Sequence, residues 1–295
     1  MNRDTHSHSL YMLIAILLTL ALSNANAQRV RTGGLSQEQI DELSHKHDGY
    51  YGALAPQNLA VERPKPPFDL TSTWFIDLRR AFSDFMFGPP YPEFFEAGQT
   101  ALRESAEARA AGRPYRDSIG QCYPAGMPMI MTRVWPIAMI QLPTVVYQVY
   151  GFTNSLRIIY LDGREHTDPD LAIPTYNGES VGRWEGDALV VHTKYFETNE
   201  HWIDSGIPIS DQFEIVERYR LLDAGMTLEI EFTLTDPANW KGEWKSTKRW
   251  LRSDYSDIPE VECLPNLNED IPGTVKGQAE IERRERAADQ GDTGD

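Results

Sequence analysis

At 295 residues the chain has room for one large β domain or two small ones. Its formal charge of −16 makes a surface that repels phosphate backbones and anionic membrane faces, which argues against nucleic acid and acidic lipid as partners. Only two cysteines occur, Cys122 and Cys263.

Tyr11 to Leu22 is an apolar run, too short for a membrane span, which needs about 20 residues. Ala25 and Ala27 follow it in an A-x-A cleavage pattern. Residues 1–27 therefore read as a signal peptide. The mature chain is expected to start at Gln28 and to be periplasmic or secreted, with no stable membrane insertion after cleavage. An uncleaved N-terminal anchor is the other reading. In an oxidising compartment Cys122 and Cys263 are candidates for a disulfide joining the start of the strand region to its end. The alternative is two free buried thiols.

Residues 28–67 form a polar leader. Ser36 with Gln39 makes a capping box and Leu35 with Ile40 a staple, which predicts a short helix over 36–45. His45-Lys46-His47 carries ligand-type side chains, but an exposed polar leader is the blander context. Residues 68–263 are expected to be a single β-rich domain, and 264–295 a charged, disordered tail.

Phe68 to Asp77 is the first strand candidate, with Trp74 placed to plug a barrel end. A helix is expected after Pro92, with Phe95, Leu102 and Ala106 on one face and Gly112 at its C-terminal cap. From Cys122 the strand candidates follow closely: 129–135, 137–141, 144–150 and 155–161, all rich in β-branched and aromatic residues. Gly178 to Phe196 reads as a hairpin turning at Trp184-Glu185-Gly186-Asp187, because glycine accepts the φ > 0 that the turn requires. Residues 211–222 and 226–235 are two long strands; the second alternates Leu228, Ile230, Phe232 and Leu234 with polar residues, as a half-buried antiparallel strand does. Residues 244–252 are the last strand. The expected fold is mostly β, an antiparallel meander closed into a calycin-like barrel or folded into a sandwich, with one or two short N-terminal helices.

The carrying residues of a resemblance are Cys122-x-Pro124-x-Gly126-x-Pro128, Arg157-Ile158-Ile159-Tyr160-x-Asp162-Gly163-Arg164-x-His166, Gly178-x-Ser180-x-Gly182-x-Trp184-Glu185-Gly186-Asp187, and Glu217-Arg218-Tyr219 with Asp236-Pro237. In these, over about 40% of its length, the chain resembles a widespread group of exported bacterial proteins of unknown function. The resemblance implies a family and no activity. Two positions depart from the group: His192 stands where a carboxylate is usual, and Pro208-Ile209-Ser210 where Pro-His-Ser is usual.

Glu217 shares a strand face with Phe213, Ile215, Tyr219 and Leu221. A carboxylate in an apolar row must be paired or protonated. It is either a lumen acid or base, or half of a buried ion pair with a neighbouring arginine such as Arg157 or Arg183. His166, just past a turn, is the best general-base candidate. His192 is a further catalytic candidate that faces either the lumen or the outside, and His201 reads as exposed. Trp184, Tyr176, Tyr219, Arg157 and Arg164 are candidate ligand-binding residues. No G-x-S-x-G, H-E-x-x-H, phosphate loop or dinucleotide fingerprint occurs, no metal or other cofactor is called for, and Asp168 with Asp170 is a thin basis for calcium. Three functions stay open. The first is an exported barrel whose lumen holds a small, largely apolar molecule. The second is a metal-free acid–base lyase, isomerase or hydrolase using Glu217 and His166. The third is an envelope protein-interaction module acting through loops 164–177 and 194–210. Nothing in the sequence bears on oligomeric state.

Overall fold

Thirteen strands and two short helices follow one another in the computed structural model, which describes residues 51–81, 84–112, 115, 118–254, 256–261 and 263, with Ser36. Residues 1–27, the remainder of the expected leader helix with His45 and His47, and the tail from 264 lie outside the described residues. Helix α1 is the single turn Pro56–Leu59, and strand β1 spans Ser72–Ile76. Then come β2 (Glu93–Phe94), α2 (Glu96–Ala110), β3 (Ile137–Leu142), β4 (Val145–Tyr150), β5 (Leu156–Tyr160), β6 (Glu179–Glu185) and β7 (Ala188–Lys194). The short pieces β8 (Trp202–Ile203) and β9 (Ile207–Pro208) precede β10 (Glu214–Leu222), β11 (Thr227–Thr235), β12 (Trp240–Lys241) and β13 (Trp244–Ser253).

Nine of these strands close a barrel in the order β1-β13-β11-β10-β7-β6-β5-β4-β3. Eight of the nine junctions are antiparallel; β5 and β6 run parallel, with Ile159 opposite Ser180. The meander is therefore mixed at one point. Residues 161–178 are long enough to carry the chain back to the end where β5 began, and a parallel neighbour requires such a return. The β6–β7 hairpin forms as expected, with Glu185 opposite Ala188 and Gly186 at φ +60°.

Alternation along the strands sorts the side chains. Trp74 and Ile76, Val146, Gln148 and Tyr150, Arg157 and Ile159, Leu189 and Val191, Ile215, Glu217 and Tyr219, Leu228 to Leu234 in steps of two, and Lys248 with Trp250 are all buried. Trp74 is completely enclosed; its indole N–H donates to Leu70 O at 2.9 Å and the Arg252 guanidinium lies 4.6 Å over its ring. At one end of the barrel Phe87, Phe94, Phe213, Phe232, Trp240 and Trp244 pack edge to face, the arrangement aromatic quadrupoles favour.

Two local expectations need correction. Residues 129–135 do not form a strand: Met129–Thr132 is a 3-10 turn with all four residues buried. A short apolar run does not distinguish a strand from a buried turn, and Pro128 and Pro136 bracket this one. In α2 the buried face is Gly98, Ala101, Ser105 and Ala108, while Phe95 and Ala106 are exposed. Small residues let α2 lie close to the 204–208 segment, and that fit outweighs the larger apolar side chains in setting its rotation. Gly112, at φ +65°, closes the helix as expected.

Cys122 and Cys263 form a disulfide across 141 residues of sequence, with Cα atoms 5.6 Å apart. No helix among the described residues is long and apolar enough to cross a membrane.

Candidate functional site

Inside the barrel, Arg157 on β5 and Glu217 on β10 form a bidentate ion pair with no solvent exposure of either side chain. The rest of the guanidinium is satisfied too. Its Nε donates to Ser180 Oγ at 3.0 Å and its Nη2 to Thr193 Oγ1 at 2.8 Å. Tyr219 Oη donates to Glu217 Oε1 at 2.9 Å, Gln148 Nε2 donates to Tyr219 Oη at 3.1 Å, and Tyr150 Oη donates to Gln148 Oε1 at 2.8 Å. Burial alone would push the Arg157 pKa down, but Glu217 and the surrounding oxygens outweigh it and hold the guanidinium charged. Burial raises Tyr150 and Tyr219 well above an ordinary phenol. A network in which every partner is engaged specifies the interior. Of the two arginines the sequence offers, Arg157 is the partner; Arg183 is exposed and bonds Glu185 at 2.7 Å.

On the opposite face of the same wall lies a second group. Register places Val216 beside His192 and Glu217 beside Val191, so His192 points outward. His166 Nδ1 is 2.8 Å from Glu179 Oε1, His166 Nε2 is 3.2 Å from His192 Nδ1, and His192 Nε2 is 2.9 Å from Glu214 Oε2. Glu179 also accepts from Thr167 N–H at 2.8 Å and Thr167 Oγ1 at 2.5 Å. Burial opposes its charge, but His166 and Thr167 prevail and hold the carboxyl below the ordinary value. Burial likewise lowers His192. Glu217 and His166 thus lie on opposite sides of the barrel wall and make no joint constellation.

Beside the histidines, at the end of the barrel where β7 and β11 finish and β10 and β13 begin, an open groove of about 840 Å³ is lined by Phe95, Lys194, Tyr195, Phe213, Glu214 and Trp240 among others. Tyr195 holds a left-handed backbone at φ +61° and donates its hydroxyl to Thr167 O at 2.8 Å. Trp240 is buried, and its indole N–H has no hydrogen-bond partner. Arg157, Glu217 and Tyr219 do not line this groove.

The other predicted residues have architectural partners. Arg164 clasps Asp162 at 2.6 and 2.9 Å and lies 3.9 Å over the Tyr160 ring. Trp184 packs edge-on against Phe68 at 4.9 Å, and Tyr176 donates its hydroxyl to Asn199 O at 2.9 Å. Asp168 accepts from Asp170 N–H at 2.9 Å as a local turn. His201 is not exposed: it is buried, its Nδ1 lies 2.7 Å from Glu197 O, and burial lowers its pKa. Several buried ionisable groups escaped the sequence reading, Asp204 and Lys248 among them. Asp204 accepts from Phe87 N–H at 2.6 Å and is raised by burial; Lys248 donates to Met86 O at 2.9 Å and is pushed down by burial to about 8. Glu179, Glu214, Tyr195 and Trp240 were also missed. The outward alternation of β6, β7 and β10 carried a signal for the two glutamates; the groove depends on loop closure, for which sequence offers none.

A scan against protein-family models finds no match, and a search of curated proteins finds none either.

Proposed function

We propose that this chain is an exported barrel protein that binds a small, largely apolar molecule, seated in the groove at the barrel end rather than in the lumen. The observation that carries the reading is the groove itself. Its volume of about 840 Å³ lies within the usual range for small-molecule sites. Phe95 and Tyr195 supply apolar area, and Lys194 and Glu214 supply a few orienting polar groups. The strained Tyr195 backbone at its wall adds support, since such residues concentrate at binding sites. The Arg157–Glu217 network speaks for a packed lumen and against Glu217 as a solvent-reachable acid or base. The Cys122–Cys263 disulfide suits an oxidising compartment. Native mass spectrometry of the protein purified from its own exported fraction tests the reading. A co-purified small molecule is expected; a protein that is empty as isolated and stays empty against a panel of hydrophobic ligands would sink it.

A further inference from the structure

The two histidines on the outer wall have their outer nitrogens engaged. His166 Nδ1 meets Glu179 and His192 Nε2 meets Glu214. A carboxylate only accepts, so each of these nitrogens carries the ring hydrogen. In a neutral imidazole the other nitrogen is then a lone pair. Those remaining nitrogens, His166 Nε2 and His192 Nδ1, face each other at 3.2 Å. Two lone pairs that close repel unless something positive lies between them: a proton or a metal cation.

The contact meets hydrogen-bond geometry, so a proton fits between the nitrogens, and the ring geometry suits a metal ion as well. A near-linear N–H···N bond of this length would set the ring centres roughly 5.5 Å apart. They stand 4.9 Å apart with planes at 86°, so at least one nitrogen points off the line joining the pair. Two imidazole nitrogens at about 2.0–2.1 Å from one tetrahedral zinc ion lie roughly 3.3 Å apart, with ring centres roughly 5.2 Å apart. The observed pair comes within about 0.3 Å of that spacing. The carboxylates complete the pattern: a metal-binding histidine characteristically donates its other ring N–H to a carboxylate, which fixes the tautomer and raises basicity. Glu179 and Glu214 also supply two negative charges to offset a divalent ion.

We propose that His166 and His192 bind a borderline divalent cation of the zinc–copper class on the outer wall of the barrel, oriented by Glu179 and Glu214. Among the described residues no point gathers three His, Cys, Asp or Glu side chains. The protein therefore supplies two nitrogens, and water or a bound molecule fills the remaining positions. Glu214 also lines the groove, so such a molecule has a route to the ion from that side. The site goes beyond the groove reading and does not depend on it.

The test is calorimetric titration of Zn2+ alone into chelator-treated protein in a His45→Ala/His47→Ala background, which removes the leader histidines as competitors. One ion per chain is expected. His166→Gln and His192→Gln should each weaken binding at least tenfold, and Glu179→Gln about 10–100-fold, the usual cost of losing an orienting carboxylate. Thermal melts confirm that each variant is folded. Should a variant fail to fold, electron paramagnetic resonance of Cu2+ on the background protein decides: coupling to two nitrogens is expected. Absence of saturable Zn2+ binding, histidine variants that bind as tightly as the background protein, or a Cu2+ spectrum without two-nitrogen coupling would overturn the proposal.

Discussion

Glu217 shows how far a single residue can be read from sequence. An acid in the row Phe213, Ile215, Tyr219 had to be paired, protonated or functional, and the row was visible. Its partner was not, because Arg157 reaches it from β5 only once the barrel closes. Glu217→Gln leaves Arg157 charged and buried without its counter-ion. We expect a loss of about 3–5 kcal/mol, read from a urea unfolding midpoint. Lys248 makes the contrary case, a charge that burial disfavours. Its folded pKa is about 8 against 10.5 unperturbed. Between these values the unfolded chain holds a proton that the folded chain lacks, so stability rises with pH across this window. Relative to Lys248→Met, the parent protein should gain about 3 kcal/mol between pH 8 and 10.5. A flat difference across that range would remove Lys248 from the account. Nothing in its strand pattern marked Lys248, which alternates inward among tryptophans and is enclosed by the separate 84–88 segment.

At the scale of elements, turn chemistry and alternation were the legible signals. The Gly186-Asp187 turn, the β10–β11 pair and the last strand fall where alternating residues and turn residues placed them. What failed depended on neighbours. The 129–132 turn and the rotation of α2 follow from packing partners distant in sequence. The parallel β5–β6 junction follows from the path of a loop rather than from either strand. Two glycines of the hairpin separate conformation from space. Gly186 has φ +60° and open surroundings, so Gly186→Ala should cost about 1–2 kcal/mol from the backbone alone. Gly178, at φ +65°, would also place a Cβ 2.7 Å from Thr193 Cγ2 and 2.8 Å from Lys194 O. Gly178→Ala should therefore lower the urea midpoint further than Gly186→Ala; equal effects would contradict this reading of the close approach.

At the scale of the whole molecule, the nine-stranded sheet closes on itself and so has no free edge strand of its own, and the disulfide ties the segment before β3 to the chain beyond β13. On the loop-entropy picture, linking residues 141 apart in sequence stabilises the fold by about 5 kcal/mol. Cys122→Ser/Cys263→Ser is expected to lower stability by about 2–5 kcal/mol, measured by chemical denaturation under oxidising conditions. The mostly-β barrel was legible because period-2 patterning survives in single strands. The candidate site was only half legible: His166 and His192 could be named, but the groove is assembled from strand ends and loops that meet only in the closed fold. The central claim is that the lumen is structural and that binding lies outside it. The most direct test pairs thermal melting with ligand retention by native mass spectrometry for Glu217→Gln and Phe95→Ser. The account predicts that Glu217→Gln melts lower but keeps its ligand, while Phe95→Ser melts as the parent does but loses it. A Glu217→Gln protein that stays as stable as the parent yet loses its ligand would contradict the account.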